Sequence, residues 1–398
     1  MKFAQRMAEL GTETAFEVLA RAKALEAQGK QIVHLEIGEP DFTTPAYIVE
    51  AARKALADGY THYTPAPGIP ELREAIAHDA TQRRGIEFAA EDVVVTPGGK
   101  PIMFFSILAL CDKGDEVIYP NPGFPIYESM IQFVGATPVP AQIEEARGFS
   151  LDVDKLCEAV NERTRLIILN SPHNPTGGIL SRSDLEQIAA TVLKYPDVVV
   201  LSDEIYSRML YGGEHVSIAT LPGMRERTIV LDGFSKIYAM TGWRLGYGLF
   251  PREMVPGITR LMSNSNSCTA TFTQMAGVVA LTGSQKPSED MVAEFHKRRD
   301  VIVAGLNDIP GLTCATPGGA FYAFPNITGT GLRSREMADL LLSEAGVAVL
   351  AGTAFGAFGE GYIRLSYANS IEQIERALAS IKGWLASRQT SASGAMRA

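Results

Sequence analysis

Six short apolar runs without polar alternation recur through the middle of the chain, each followed by turn residues and a helix-like segment. They are "DVVVTPGG" from Asp92, "DEVIYPNPG" from Asp115, "RLIILNSPHNPTGG" from Arg165, "DVVVLSDEIY" from Asp197, "TIVLDGFSK" from Thr228 and "RLGYGLFP" from Arg244. A strand that is apolar at every position is covered on both faces, and strands separated by helical segments pair in parallel. The pattern predicts an α/β layered domain, a mainly parallel sheet sandwiched by helices. From about Lys286 it changes to longer helix-like stretches with two short strand-like runs, "GGAFYAFP" and "GYIRLSYA". These predict a second, smaller α+β domain with the N-terminal segment packed on it. The division expected is 46–285 for the large domain, and 1–45 with 286–386 for the small one. The small, polar tail 387–398 is expected to be disordered.

In such sheets ligands bind beyond the carboxyl ends of the strands. The polar groups just after the runs are Gly98, Gly99 and Lys100, then Asn121 to Phe124, Asn174, Asp203 with Tyr206, and Ser235 with Lys236. Core packing alone does not require a chemically distinctive group at each strand end. The stretch "SKIYAMTGWRLG" adds a second cation, Arg244, close to Lys236. Burial and a neighbouring cation lower a lysine's pKa and make its amine a nucleophile, although a lysine at a strand end can also snorkel to solvent. Arg244, flanked by glycines, suits phosphate oxygens, and Ser235 adds a hydroxyl. Residues 96–100 read either as a simple turn or as a strand-to-helix turn whose free N–H groups suit an anion. Asp203 ends a very apolar strand, where an unpaired carboxylate is expensive; it reads as a helix N-cap or as the partner of a cation such as a protonated pyridine nitrogen. Tyr206 and Asn174 are placed to hydrogen-bond a phenolate-type oxygen. A lysine for an aldehyde and an arginine for a phosphate are the two cations that pyridoxal phosphate requires.

Composition narrows the alternatives. The chain has 398 residues, 46% hydrophobic and 20% charged, as in an ordinary globular protein of about two domains. Its net charge of −9, with no dense block of lysine or arginine, argues against nucleic acid. No apolar run reaches the roughly 18 residues of a membrane span, and the charged N-terminus lacks the core of a secretory signal, so a cytoplasmic protein is expected. Four cysteines without a CxxC pair suggest buried free thiols, with no disulfide framework and no metal site. His173 reads as a packed loop residue, "FHKRRD" from Phe295 as a solvated helix face, and "AGTAFGAFGEG" from Ala351 as a substrate-side loop without the P-loop lysine. Residues 10–16, "LGTETAF", either line the pocket or simply start a helix capped by Thr12 or Thr14.

Nearly the whole chain resembles the class I pyridoxal-phosphate-dependent aminotransferases of fold type I, and is similar to bacterial aspartate aminotransferases. The resemblance rests on "IGEPDF" from Ile37, "HYTPAPGIPELREAI" from His62, "TPGGK" from Thr96, "NPTG" from Asn174, "SDEIY" from Ser202, "SKIYAMTGWRLG" from Ser235, "PGGAFY" from Pro317 and "IRLSYA" from Ile363, in that order. It implies that Lys236 bonds to pyridoxal 5′-phosphate and shuttles the proton. It implies that Asp203 pairs with the pyridine nitrogen while Asn174 and Tyr206 hold the ring oxygen. Ser235, Arg244 and the backbone at Gly98, Gly99 and Lys100 would bind the phosphate, with Tyr63 reaching the phosphate of a neighbouring subunit in a homodimer. Arg364, with the Gly38 backbone nearby, would clamp the substrate's α-carboxylate; read alone, it is equally a strand residue in a surface salt bridge.

One position departs from the aspartate-preferring pattern. Phe124 stands where a tryptophan commonly stacks on the cofactor, and phenylalanine stacks without offering an N–H to a side-chain carboxylate. The resemblance also makes Lys100 a candidate cation for a dicarboxylate, as its counterpart is in some relatives, so aspartate, alanine, aromatic and other neutral donors all stay open, with 2-oxoglutarate the expected acceptor. Two other readings are a carbon–sulfur β-lyase of the same fold and an effector-sensing regulatory module.

Overall fold

The computed structural model describes residues 2–395, with side chains described as far as residue 388. After β1 (Val33–His34), the main sheet is built from β2 (Val93–Thr96), β3 (Glu116–Asn121), β4 (Thr137–Glu144), β5 (Ser150–Leu151), β6 (Thr164–Asn170), β7 (Val199–Asp203), β8 (Thr228–Gly233) and β9 (Gly246–Leu249). Their order across the sheet is β2-β9-β8-β7-β6-β3-β4-β5. All six apolar runs are therefore strands, and the block from β8 to β4 is parallel. The pair β4–β5 has no counterpart among the six runs. Pro138 and Pro140 interrupt the β4 sequence, and its first half is not buried, so it lacks the signature of a covered strand.

Strand β9 runs antiparallel to both of its neighbours. Its beginning therefore lies at the edge of the sheet where β8 and the parallel strands end, which carries Arg244 there from the N-terminal side. A second sheet contains β10 (Tyr322–Ala323), β12 (Leu350–Ala351) and β13 (Ile363–Ser366), all antiparallel with β13 central, while β1 pairs in parallel with β11 (Val347–Ala348). Of these, β10 and β13 are the "GGAFYAFP" and "GYIRLSYA" runs in their expected form, while β1, β11 and β12 lie outside both.

Two expectations change. In the helix Lys286–Asn307, the "FHKRRD" stretch is not a solvated face: Phe295 is fully buried and Arg298 is 6% exposed, bonded to Asp41 at 2.6 Å. Its guanidinium lies 4.9 Å and 5.4 Å from the ring centres of Phe42 and Phe295, so the charge itself is covered by aromatic faces. The last helix, Ile371–Ala395, carries the backbone through 387–395, and the rest of the tail expected to be disordered lies outside the described residues. Extending a helix already formed costs little per residue. Cys111 and Cys314 are buried, whereas Cys157 and Cys268 are half-buried; all are free. Among the described residues no helix is long and apolar enough to cross a membrane.

The sheet is fastened to the helix Pro70–Arg84 by buried charge. Arg84, its last residue, donates to Glu204 at 2.7 Å and to Asp232 of β8 at 3.2 Å, and Arg83 reaches Asp232 at 3.1 Å. Burial would raise the Glu204 carboxyl, but Arg84, His215 and the Ser217 hydroxyl outweigh it and hold the group well below the usual carboxylate range. Removing one member of such a cluster leaves a buried charge uncompensated. Glu204→Ala should therefore lose about 3–5 kcal/mol of stability, read as a lower urea midpoint; a loss near zero would show that the cluster does not hold helix and sheet together.

Candidate active site

A cavity of about 870 Å³ opens at the carboxyl edge of the main sheet and is lined from both sheets. One loop brings two of its cations. Gly233 and Gly246 are directly paired across β8 and β9, and the Phe234 N–H donates to the Leu245 carbonyl at 3.2 Å, so the loop between them is closed at its base. It carries Ser235, Lys236 and Arg244. The Lys236 ammonium donates to the Gly38 carbonyl at 2.5 Å and lies 5.8 Å and 5.7 Å from the Tyr206 and Phe321 ring centres. Burial lowers its pKa to about 8, with Arg364 and Arg244 adding to the effect and Glu39 opposing it.

Arg244 adopts the left-handed conformation, φ 54°, and donates to the carbonyls of Thr241 at 3.0 Å and Pro97 at 3.4 Å. It pairs with no carboxylate among the described residues. Gly98 lies directly beneath it, where a Cβ would stand 2.2 Å from Arg244 Nη2 and push the guanidinium aside, and its φ of +86° favours glycine. Gly99 and Lys100 then begin the helix Lys100–Leu110, whose first N–H groups lack intrahelical acceptors. Ser235 is 9% exposed and lines the cavity.

At the end of β7, Asp203 is 8% exposed and forms an ion pair with no cation among the described residues. Burial pushes its carboxyl up to about 6, against the hydrogen bonds it accepts from Tyr127 Oη at 2.6 Å and the Ile205 N–H at 3.3 Å. Asn170 connects this strand end to the next group. Its Nδ2 donates to the Asp203 carbonyl at 3.1 Å, while its Oδ1 accepts the Asn174 N–H at 2.9 Å. Asn174 in turn accepts a hydrogen bond from Arg364 Nη1 at 3.2 Å, and Nη2 donates to the Glu36 carbonyl at 2.5 Å. Arg364 is 4% exposed, lies 4.6 Å and 4.8 Å from the Tyr322 and Phe355 ring centres, and its Nε has no partner. It too faces no carboxylate partner, which removes the surface salt bridge reading. Tyr322 also bonds the Tyr206 hydroxyl at 2.7 Å and fills the space beside Gly38, where a Cβ would stand 2.3 Å from its oxygen.

Eleven of the thirteen site residues implied by the resemblance line this one cavity. Gly98 sits behind Arg244, and Tyr63, 88% exposed, lies outside the lining. His173 is buried against Thr176, and burial lowers its pKa to about 3, so it stays neutral and is no base. Sequence reasoning did not single out Tyr127, Tyr322 or Glu36. Tyr127 follows Phe124 by three positions, the one local hint that both face the same way. The helix Thr14–Glu26 is capped by neither Thr12 nor Thr14. Its N-cap is Glu13, which makes no capping bond because its carboxylate turns instead to Lys100.

A buried carboxylate without a cation, two guanidiniums without carboxylates and an amine of lowered pKa form a donor set that matches a protonated pyridine, a phosphate, an acid anion and an aldehyde. Pyridoxal 5′-phosphate fits this set.

A family profile described as aminotransferase class I and II matches residues 30–381. The aspartate aminotransferase of Pyrococcus abyssi is 43% identical over 353 residues, 88% of this chain and 90% of that one. Aromatic-amino-acid aminotransferase 2 of Thermococcus litoralis is 42% identical, over 88% of this chain and 91% of its own. The solved structure of aspartate aminotransferase from Thermus thermophilus with maleate superposes with a TM-score of 0.92 at 37% identity, covering 96% of this chain and 99% of the other.

Asp203 gives the cofactor-free protein a pH dependence of definite sign. Its folded value of about 6 lies above the roughly 3.9 of an unfolded aspartate, so the folded state holds the proton more tightly. The stability it contributes is complete below about pH 4 and lost as pH rises through about 6. Between these values the urea midpoint of the cofactor-free protein should fall more steeply than that of Asp203→Asn; parallel curves would mean that Asp203 carries no uncompensated charge.

Proposed function

The chain belongs to the class I and II aminotransferases of fold type I and uses pyridoxal 5′-phosphate to transfer an amino group from an amino acid to a 2-oxo acid; from that premise we propose which residues carry the reaction and how the molecule is organised around them. When bound, pyridoxal 5′-phosphate supplies an aldehyde that condenses with amines and a ring that withdraws electrons from the α-carbon. Lys236 would hold the cofactor covalently and, once the substrate's amino group has released it, its free amine would accept and return the proton of the substrate's α-carbon; burial already lowers that amine's pKa. Ser235, Arg244 and the backbone N–H groups at Gly98, Gly99 and Lys100 bind the phosphate, while Phe124 stacks against the ring. Asp203 presents its charge to the ring nitrogen, with Tyr127 fixing one carboxylate oxygen. Asn174 and Tyr206 hold the ring oxygen.

Arg364 binds the α-carboxylate, oriented by Asn174 and the Glu36 carbonyl, with the Gly38 backbone alongside. Anchoring that carboxylate decides which α-substituent faces the Lys236 amine. The observation that carries this reading is the coincidence, in one cavity, of a lowered-pKa amine with a cation-free aspartate and two carboxylate-free guanidiniums. The acceptor is 2-oxoglutarate in a ping-pong cycle. The active unit is a cytoplasmic homodimer in which the exposed Tyr63 reaches the neighbouring subunit's phosphate, and each chain divides into a large domain, 46–285, and a small one, 1–45 with 286–386. Relatives named as aspartate and aromatic aminotransferases give no support to a carbon–sulfur β-lyase or an effector-sensing module.

Two experiments test this reading. Lys236→Ala should lower amino transfer by at least about 10²–10⁴-fold, the usual share of a positioned proton carrier, while the variant stays folded; turnover at the wild-type rate would refute the role. Tyr63→Phe should weaken cofactor binding in a protein that sediments as a dimer. A monomeric protein, or unchanged cofactor affinity, would remove the shared site.

A further inference from the structure

The strap leading into the first helix carries a carboxylate that the functional reading leaves unused. Glu13, immediately before the helix Thr14–Glu26, lines the cavity and forms an ion pair with the Lys100 ammonium. Two residues earlier, the Gly11 N–H donates to Ser129 Oγ at 2.7 Å on the helix Ile126–Phe133, so the strap is fastened to the main-sheet body on both sides of Thr12. The Lys100 ammonium also stands 5.6 Å from the centre of the Phe124 ring.

The other cavity cations already have duties or partners. Lys236, Arg244 and Arg364 serve the aldehyde, the phosphate and the α-carboxylate, and Lys23 pairs with Glu26 at 3.0 Å. Lys100 is therefore the cation left for a carboxylate on a substrate side chain, and Glu13 occupies it.

We propose that Glu13 is a specificity-determining residue: its carboxylate is a built-in occupant of Lys100, so donors with neutral side chains bind with the pair intact, whereas dicarboxylic donors must displace it. This deepens the aminotransferase reading and rests on it. Selectivity here comes from a repulsive element, since a substrate carboxylate entering beside Lys100 meets the negative charge of Glu13 as well as the cation. The pair is partly exposed, 19% on the Glu13 side and 49% on the Lys100 side, which limits the effect to that of an ordinary surface ion pair. Glutamine keeps the length of the side chain and removes the charge, and Glu13 makes no capping bond on which the helix depends.

The test compares wild type, Glu13→Gln, Lys100→Met and the double variant as holoenzymes. For Glu13→Gln, kcat/KM for L-aspartate and L-glutamate, divided by that for L-alanine and L-phenylalanine, should rise roughly fivefold, and the rise should shrink at high salt. In the Lys100→Met background the same substitution should produce no rise. Calorimetric binding of succinate, an unreactive dicarboxylate, should tighten in Glu13→Gln and weaken in Lys100→Met. Equal changes for all donors, or a rise that survives the loss of Lys100, would overturn the proposal. A wild-type protein that transaminates no amino acid would instead defeat the functional reading, and succinate binding would still decide the role of Glu13.

Discussion

An acid kept at the end of a fully covered strand without a cation of its own is the constraint on which the rest of the site depends. Burial, helped by the nearby Asp232 and Glu204 carboxylates, raises the Asp203 carboxyl to about 6 even though one tyrosine hydroxyl and one backbone N–H oppose it. The next residue, Glu204, is treated in the opposite way. It is bonded to Arg84, Ser202 and Ser217, with His215 alongside, and is held strongly acidic. Successive side chains leave an extended strand on opposite sides. One carboxylate therefore faces the cavity in want of a partner while its neighbour fastens the scaffold that keeps it there. Environments that push adjacent acids apart in this way mark the group with a chemical task.

The arginines divide along the same line. Arg84 is paired with two carboxylates and belongs to the framework. Arg244 and Arg364 meet only carbonyl and amide oxygens, which orient a guanidinium without neutralising it. A cavity that holds unspent charge of both signs binds a molecule of complementary charge pattern, and the carbonyl ligands ensure that each cation is already aimed before that molecule arrives.

Much of this was legible in the sequence because burial on both faces writes itself as uninterrupted apolar runs, and because the groups at the strand ends are of unmistakable type. The strand β4 was not legible, since two prolines and a half-exposed face give it the look of a loop. Tyr127, Tyr322 and Glu36 escaped for another reason. Their importance comes from partners 76 residues away for Tyr127, 116 for Tyr322 and 328 for Glu36, and no local pattern encodes such meetings. The "FHKRRD" stretch misled because arginine reads as solvated by default, whereas Arg298 sets its guanidinium against two phenylalanine rings and pairs it with Asp41. Glu13 was overlooked because a threonine on either side offered the more familiar helix cap.

The closed base of the loop between Gly233 and Gly246 has a mechanical result. Lys236 and Arg244 hang from one clasp of neighbouring strands, so the gap between amine and guanidinium is a property of a single short piece of chain. Arg364 is mounted on a different sheet. Any hinge between the two sheets leaves the first spacing untouched and alters only the second, like a caliper with one jaw fixed and the other free to slide.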